Sequence, residues 1–178
     1  MKNIFGFISL GLIFIFSGCT KDDFTWNAPK LPPKPCIVFF DYSEQNYIKK
    51  VSFSNMNNTT GGTSGYNYYS KKKIEIEPGQ IYELNVEYNV NTNYDYVGVY
   101  GYFDWNCDGD FIDNQETVLI SNNINLTNGI ISVSVPIDAV KGSSYARFVV
   151  QPSFYAVQPD PCVQDYYGEA EDYPLLIK

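Results

Sequence analysis

From Ile37 to the end of the chain, no stretch shows a sustained helical periodicity, and in several stretches apolar and polar residues alternate with period two. Within residues 80–91, five apolar side chains alternate with polar ones: Tyr82, Leu84, Val86, Tyr88 and Val90. A strand places successive side chains on opposite faces, so this alternation is typical of a half-buried β-strand. Tyrosine, which occurs 16 times in the chain, also favours strands over helices.

Similar patterns separated by turn residues predict about seven to nine short strands. The clearest cover residues 47–53, 71–77, 80–91, 94–104, 130–135, 145–151 and 170–177. In the stretch 94–104, Val97 and Val99 would face one side of the sheet and Tyr100 the other. Short strands without helices predict an all-β fold, namely a single antiparallel β-sandwich of jelly-roll-like form.

The composition excludes several classes of function. The chain contains no histidine, which rules out Ser-His-Asp and Cys-His catalysis and imidazole zinc sites. Its 12 basic and 20 acidic residues give a formal net charge of -8, and Arg147 is its only arginine. A nucleic-acid-binding protein needs a basic face to displace counterions from phosphates, so no nucleic-acid partner is expected.

The first residues have the organisation of a secretion signal. Lys2 precedes a nearly continuous apolar run, residues 4–16, which is shorter than the roughly 20 residues that a spanning helix needs. The run ends in Ser17-Gly18-Cys19, which resembles the bacterial lipobox, where the cysteine is acylated and the peptide is cut before it. We therefore predict a lipoprotein signal peptide at 1–18 and a lipid anchor on Cys19. An ordinary signal peptide with an incidental cysteine is the alternative.

Residues 19–35 are predicted to form a tether. The acidic pair Asp22-Asp23 is similar to the export signal that sends lipoproteins of Bacteroidetes-type bacteria to the outer face of the outer membrane. Four prolines between Pro29 and Pro35 favour an extended spacer. The expected location is the outer membrane, with the domain lipid-anchored and facing the cell exterior. Acidic residues would also suit a plain solvated tether.

The densest group of oxygen side chains lies between two predicted strands. Starting at Asp104, every second side chain carries an oxygen, and Gly109 then permits a sharp turn, as in the opening of a calcium loop. Position 12 of an EF-hand loop would be Gln115 and no helices flank the segment, so an EF-hand is not predicted. An acidic turn satisfied by its own backbone is the alternative. We predict a structural Ca²⁺ site with these ligands: Asp104, Asn106, Asp108, Asp110, Asp113 and Glu116.

A second acidic segment contains Glu169, Glu171 and Asp172. On a strand Glu169 and Glu171 share one face, and two such carboxylates could form the acid and base pair of a glycosidase. Because any two acids at this spacing meet that condition, we expect them instead to brace the sheet or to approach the metal loop. They are retained as a possible carboxylate site.

Several motifs follow one another in a specific order, at residues 47–53, 57–61, 65–69, 77–82, 103–111 and 167–173. The joint occurrence of Asp104-Trp105-Asn106 and a late Gly-Glu-Ala-Glu-Asp-Tyr at 168–173 resembles the GEVED domain, with alanine in place of the valine. The resemblance covers residues 36–178. It implies a β-sandwich-like, extracytoplasmic module that often accompanies secreted enzymes and adhesins, and it implies no catalytic activity.

The resemblance also implies a disulfide, since Cys36 and Cys162 are similar to family cysteines near the two ends of the domain. Such a bond is compatible with an oxidising compartment outside the cytoplasm. The alternative is that Cys107 pairs with one of these two residues.

Together these observations predict a non-enzymatic, surface-exposed lipoprotein with a calcium-stabilised β-sandwich that is used for binding or adhesion. Its ligand would be a glycan or a protein, and exposed tyrosines could supply aromatic platforms. The alternatives are an accessory subunit of a larger outer-membrane or secreted complex and, less favoured, a hydrolase that uses Glu169 and Glu171. The candidate platform residues are Tyr66, Tyr68, Tyr69, Tyr94, Tyr96, Tyr100 and Tyr102.

Overall fold

The computed structural model describes residues 35–43, 45–62 and 65–178. These ranges form twelve strands and no helix, which confirms the all-β prediction. None of the described segments is therefore an apolar helix of membrane-spanning length. The predicted signal peptide at 1–18, the Cys19 anchor and all of the tether except Pro35 lie outside the described residues.

In chain order the strands are β1 Phe39–Tyr42, β2 Tyr47–Phe53, β3 Met56–Thr59, β4 Tyr66–Tyr68, β5 Ile74–Ile76, β6 Ile81–Asn89, β7 Tyr96–Phe103, β8 Thr117–Ser121, β9 Asn128–Ser134, β10 Gly142–Ser153, β11 Gln164–Tyr167 and β12 Glu169–Ile177. The seven strands predicted from the sequence correspond to β2, β5, β6, β7, β9, β10 and β12. The other five are short, with three to five residues each.

Two large sheets pack face to face as a sandwich. One has the order β3-β2-β6-β9, and the other has the order β4-β12-β10-β7-β8 with β5 also paired to β12. The main core lies between them and contains Val51, Leu84 and Val86 from the first sheet with Phe148 and Tyr173 from the second. Burial of these side chains is the main favourable term in the stability of such a fold.

A third, thinner layer covers the outer face of the six-stranded sheet. It contains the two-stranded sheet β1-β11, and Phe40 and Phe111 from this layer pack on Tyr100 and Val149 of the six-stranded sheet. The side assignment made for the stretch 94–104 is confirmed, because Val97 and Val99 face the main core whereas Tyr100 faces this second cluster. The six-stranded sheet is therefore buried on both faces.

Three strand pairs are parallel, which the alternation pattern did not indicate. They are β1 with β11, β4 with β12 and β5 with β12. Period-two alternation reports which face of a strand is buried and carries no information on the direction of its neighbour. Parallel neighbours need long connections, and here they place early segments of the chain beside its last strand.

The disulfide expected between Cys36 and Cys162 is present, with the two Cα atoms 5.4 Å apart. It joins the start of the third layer to the segment that leads into β11, across a sequence separation of 126 residues. Closing a loop of this length removes conformational entropy from the unfolded chain, a contribution of up to about 5 kcal/mol in the chain-entropy account. The bond thus joins the two segments that lead into the strands of the third layer.

Candidate functional site

The acidic loop between β7 and β8 is built around Asp104, which is fully buried. Its Oδ1 accepts a hydrogen bond from the Asp108 amide (3.1 Å), and its Oδ2 accepts one from the Gly109 amide (3.2 Å). Gly109 has a φ of 93°, a left-handed conformation that favours glycine. Burial raises the pKa of Asp104 to about 6. The side chain therefore organises the loop from inside.

Glu116 closes the same loop from its other end and is 1% exposed. Its Oε1 accepts a hydrogen bond from the Trp105 amide (2.9 Å), and its Oε2 accepts one from the Asp113 amide (3.3 Å). Burial raises the pKa of Glu116 to about 7. Asp104 and Glu116, two of the six predicted calcium ligands, thus direct their oxygens at backbone amides of the loop.

The other four predicted ligands lie together at the surface. The ligand oxygens of Asp108, Asp110 and Asp113 are all within 4.8 Å of one another. Asn106 Nδ2 donates to Asp108 Oδ2 (2.8 Å) and to Asp113 Oδ2 (2.7 Å), so an amide group lies between two carboxylates. We call Asn106, Asp108, Asp110 and Asp113 the outer acidic cluster. Its oxygen donors are the type that a hard cation prefers.

The acidic segment of β12 has a different environment, because Glu169 and Glu171 are both fully buried between the sheets. Glu169 Oε2 accepts a hydrogen bond from the Ile48 amide of β2 (2.7 Å), and its Oε1 accepts one from Asn67 Nδ2 of β4 (3.0 Å). Glu171 Oε2 accepts one from the Tyr173 hydroxyl (2.6 Å). Burial raises the pKa of Glu169 to about 8 and that of Glu171 to about 7.

Asp172 points to the opposite face of β12 and forms a buried ion pair with Arg147, its cross-strand partner on β10. Arg147 Nε donates to Asp172 Oδ1 (2.7 Å) and its Nη2 donates to Oδ2 (2.8 Å), a bidentate arrangement. Arg147 Nη1 donates to the carbonyl oxygens of Cys36 (3.0 Å) and Pro161 (2.6 Å). The guanidinium therefore connects two strands to both segments of the disulfide.

The glycine and alanine of the same motif are required by close packing. A Cβ atom on Gly168 would lie 2.4 Å from the Val150 carbonyl oxygen, and the φ of Gly168 is 141°. Ala170 is fully buried, and its amide donates to the Gly65 carbonyl oxygen (3.0 Å). Both sides of the motif thus face protein, as expected for residues that brace the sheet.

The exposed aromatic surface is formed largely by residues that the sequence did not indicate. Tyr94 stands next to Phe154 (ring centroids 4.9 Å apart) and Tyr167 (5.7 Å), and Tyr167 in turn stands next to Tyr42 (6.0 Å). We call these four residues the aromatic row. Tyr42, Phe154 and Tyr167 are between 43% and 57% exposed. Of the seven tyrosines considered as platforms, only Tyr94 belongs to this row.

The other candidate platforms have different surroundings. Tyr100 and Tyr102 are buried in the second cluster, and Tyr69 stacks on Tyr173 (5.3 Å). The Tyr66 hydroxyl donates to Asp172 Oδ2 (2.9 Å). Tyr68 and Tyr96 are exposed on strand residues outside the row. Packing therefore explains most of the tyrosine content.

Both acidic segments fall within one stretch that matches a protein-family model. Residues 98–176 match the family model of the GEVED domain. The GEVED match begins in β7, includes the acidic loop and the Arg147–Asp172 pair, and ends in β12. Searches of curated proteins and of solved structures found no match.

The sequence patterns did not predict the structural role of Arg147, which is buried and paired with Asp172. A lone arginine inside the apolar run Tyr145–Val150, in a chain with a late acidic strand, was the available signal. Tyr42 and Tyr167 carried no such signal, because they become neighbours only through the parallel pairing of β1 and β11.

We expect Arg147→Ala to lower the free energy of unfolding by about 3–5 kcal/mol, because it leaves the buried Asp172 carboxylate without its charged partner. Urea denaturation at neutral pH measures this loss. The control is Lys50→Ala, which breaks the exposed Lys50–Glu87 pair (3.4 Å) and should change stability by about 1 kcal/mol or less. Equal, small effects of the two substitutions would contradict a central role for Arg147.

The buried carboxyls predict a stability that falls as pH rises. Glu169 and Glu171 have folded-state pKa values of about 8 and 7, above the ordinary 4.5, so the folded state binds more protons than the unfolded state. Their stabilising contribution is complete below about pH 4.5 and is lost as pH rises to about 8. Melting temperatures should be recorded between pH 5 and pH 9 in the presence of a metal chelator. They should decline less steeply with pH for Glu171→Gln than for the wild type. Glu83→Gln, at an exposed position on β6, should keep the steeper decline.

Proposed function

We propose that this chain is a non-enzymatic lipoprotein of the bacterial outer membrane, faces the cell exterior, and binds a glycan or a protein ligand. The observation that carries the binding role is the aromatic row, a contiguous set of rings in which Tyr42, Phe154 and Tyr167 remain about half exposed and Tyr94 is partly exposed. Exposed, clustered aromatic side chains are typical of recognition surfaces, since each ring offers a large contact area with few rotatable bonds. The lipobox-like Ser17-Gly18-Cys19 supports the anchor.

The environment of the β12 carboxylates supports a role without catalysis. Glu169 and Glu171 are fully buried, and their oxygens accept hydrogen bonds from the Ile48 amide, Asn67 and Tyr173. A catalytic acid or base must come within hydrogen-bond reach of its substrate. These contacts favour a bracing role over the hydrolase alternative.

We further propose that the outer acidic cluster holds a structural Ca²⁺. Three carboxylates with oxygens within 4.8 Å repel one another, and a divalent cation would relieve that repulsion. Rotation of the Asn106 amide would present Oδ1 in place of Nδ2 as a fourth oxygen donor. Asp104 and Glu116 would support the ion indirectly, by holding the loop backbone in place.

Calcium should therefore raise the melting temperature of the wild-type protein. A ligand that binds only the folded state adds about 2.7 kcal/mol of stability at a hundredfold excess over its Kd. The double variant Asp108→Asn/Asp110→Asn should lose the response, whereas Asp138→Asn, an exposed acid outside the cluster, should retain it. Differential scanning calorimetry with Ca²⁺ and with Mg²⁺ makes the measurement. No shift with Ca²⁺ in the wild type would refute the site.

The anchor and the surface location are tested in cells. We expect the wild-type protein to fractionate with outer membranes and to be digested by protease added to intact cells. Cys19→Ser should move it to the soluble fraction, because the acyl chains supply the membrane affinity. Asp22→Ala/Asp23→Ala should keep membrane attachment and lose protease sensitivity. Co-purification of wild type with other envelope proteins would instead favour the accessory-subunit alternative.

A further inference from the structure

A small groove opens beside the aromatic row, where the turn after β1 meets the connection between β6 and β7. Tyr42 and Tyr167 are register partners at the ends of β1 and β11, so their side chains lie side by side on the same face. The groove has a volume of about 260 Å³. Its lining residues are Tyr42, Gln45, Asn46, Asn91, Tyr94 and Tyr167.

The three amide residues of the groove are held in place by hydrogen bonds. Asn46 is 3% exposed, and its Oδ1 accepts a hydrogen bond from the Asn91 amide (3.0 Å). Asn91 Nδ2 donates to Gln45 Oε1 (2.6 Å). In these two bonds the side-chain oxygens of Asn46 and Gln45 act as acceptors. Among the described residues, no atom accepts a hydrogen bond from the side-chain nitrogens, Asn46 Nδ2 and Gln45 Nε2. Two N–H donor groups therefore remain for a ligand.

The chemistry of this lining is specific. Tyrosine rings present flat apolar faces with a polar tip, and primary amides both donate and accept hydrogen bonds. No charged side chain is among the described residues that line the groove. Burial, with Tyr167 and Asp165 nearby, raises the pKa of Tyr94, and Asp165 does not line the groove. The complementary ligand has apolar C–H faces, hydroxyls that donate and accept, and no net charge.

We infer that this groove binds a neutral carbohydrate, with one pyranose ring against the Tyr94 and Tyr167 rings and its hydroxyls on the amides of Gln45 and Asn46. The size of the groove favours a sugar over a protein. It is slightly smaller than the roughly 300–1,000 Å³ of sites for drug-sized ligands, and so fits one or two sugar units. A protein partner usually needs about 20–30 residues on each side, and six residues line this groove. The inference rests on the proposed binding function and assigns its site.

The test begins with the purified chain, residues 19–178, on an array of neutral glucans, mannans and galactans beside sialylated and sulfated sugars. We expect binding to neutral oligosaccharides, and the best of these is then used in isothermal titration. Tyr94→Ala and Tyr167→Ala should each weaken affinity by about tenfold, the scale of one lost aromatic contact. Tyr167→Phe, which keeps the ring, should bind nearly as well as the wild type.

Tyr155→Ala is the matched control, because Tyr155 is 81% exposed and does not line the groove. It should leave affinity unchanged, and unaltered melting of every variant shows that the fold is intact. Absence of sugar binding, or sugar binding that survives Tyr94→Ala and Tyr167→Ala, overturns the inference. If the wild type captures a protein or whole cells through Tyr167 and binds no sugar, the sugar assignment fails and the binding function stands. If the wild type binds no sugar, no protein and no cells, the sugar assignment and the proposed binding function both fail.

Discussion

The buried pair of Arg147 and Asp172 is the interaction on which the arrangement of layers most depends. An isolated charge in the interior costs several kcal/mol to desolvate, so each group requires its partner in bonding geometry. Arginine suits this position because its planar group directs donors in several directions at once. Here it uses Asp172 on the neighbouring strand, the carbonyl oxygens of Cys36 and Pro161, and the face of Phe111 at 5.4 Å. A lysine could not make all these contacts.

Residues 168–173 contact all three layers of the fold, because the side chains of β12 point to two opposite faces. Asp172 faces the third layer, while Glu169 and Glu171 face the main core, where Glu169 contacts β2 and β4 and Glu171 contacts Tyr173. Gly168 allows the approach of Val150 and Phe40 that brings the layers together. The acidic residues that looked most like a catalytic pair in the sequence are thus contacts between sheets. The surface functions proposed for the chain lie elsewhere, in the acidic loop and at the aromatic row.

Patterns within single stretches of sequence predicted the features that depend on neighbouring residues, namely strands and the faces on which their side chains lie. The strand β6 follows from the alternation of residues 80–91, as does the division of Val97 and Val99 from Tyr100 between the faces of β7. In the loop, the density of oxygen side chains predicted a shared cluster, and the oxygens of Asp108, Asp110 and Asp113 do lie together. It did not indicate that Asp104 and Glu116 would turn inward, because that depends on how tightly the loop closes against the core. The lone arginine in an apolar run indicated that Arg147 is buried, but its pairing with Asp172 depends on the register of two strands. The groove forms from separate segments, which no local pattern brings together.

The position of β12 has a consequence for folding. This strand follows all the other described strands in sequence, yet it lies in the interior of its sheet and pairs with β10, β4 and β5. The sheet is therefore complete only when β12 has joined strands that are distant from it in sequence, and contacts of this kind slow folding. A cut or a disruptive substitution within β12 would accordingly open the middle of the sheet, whereas the same change in β8 would affect only its edge.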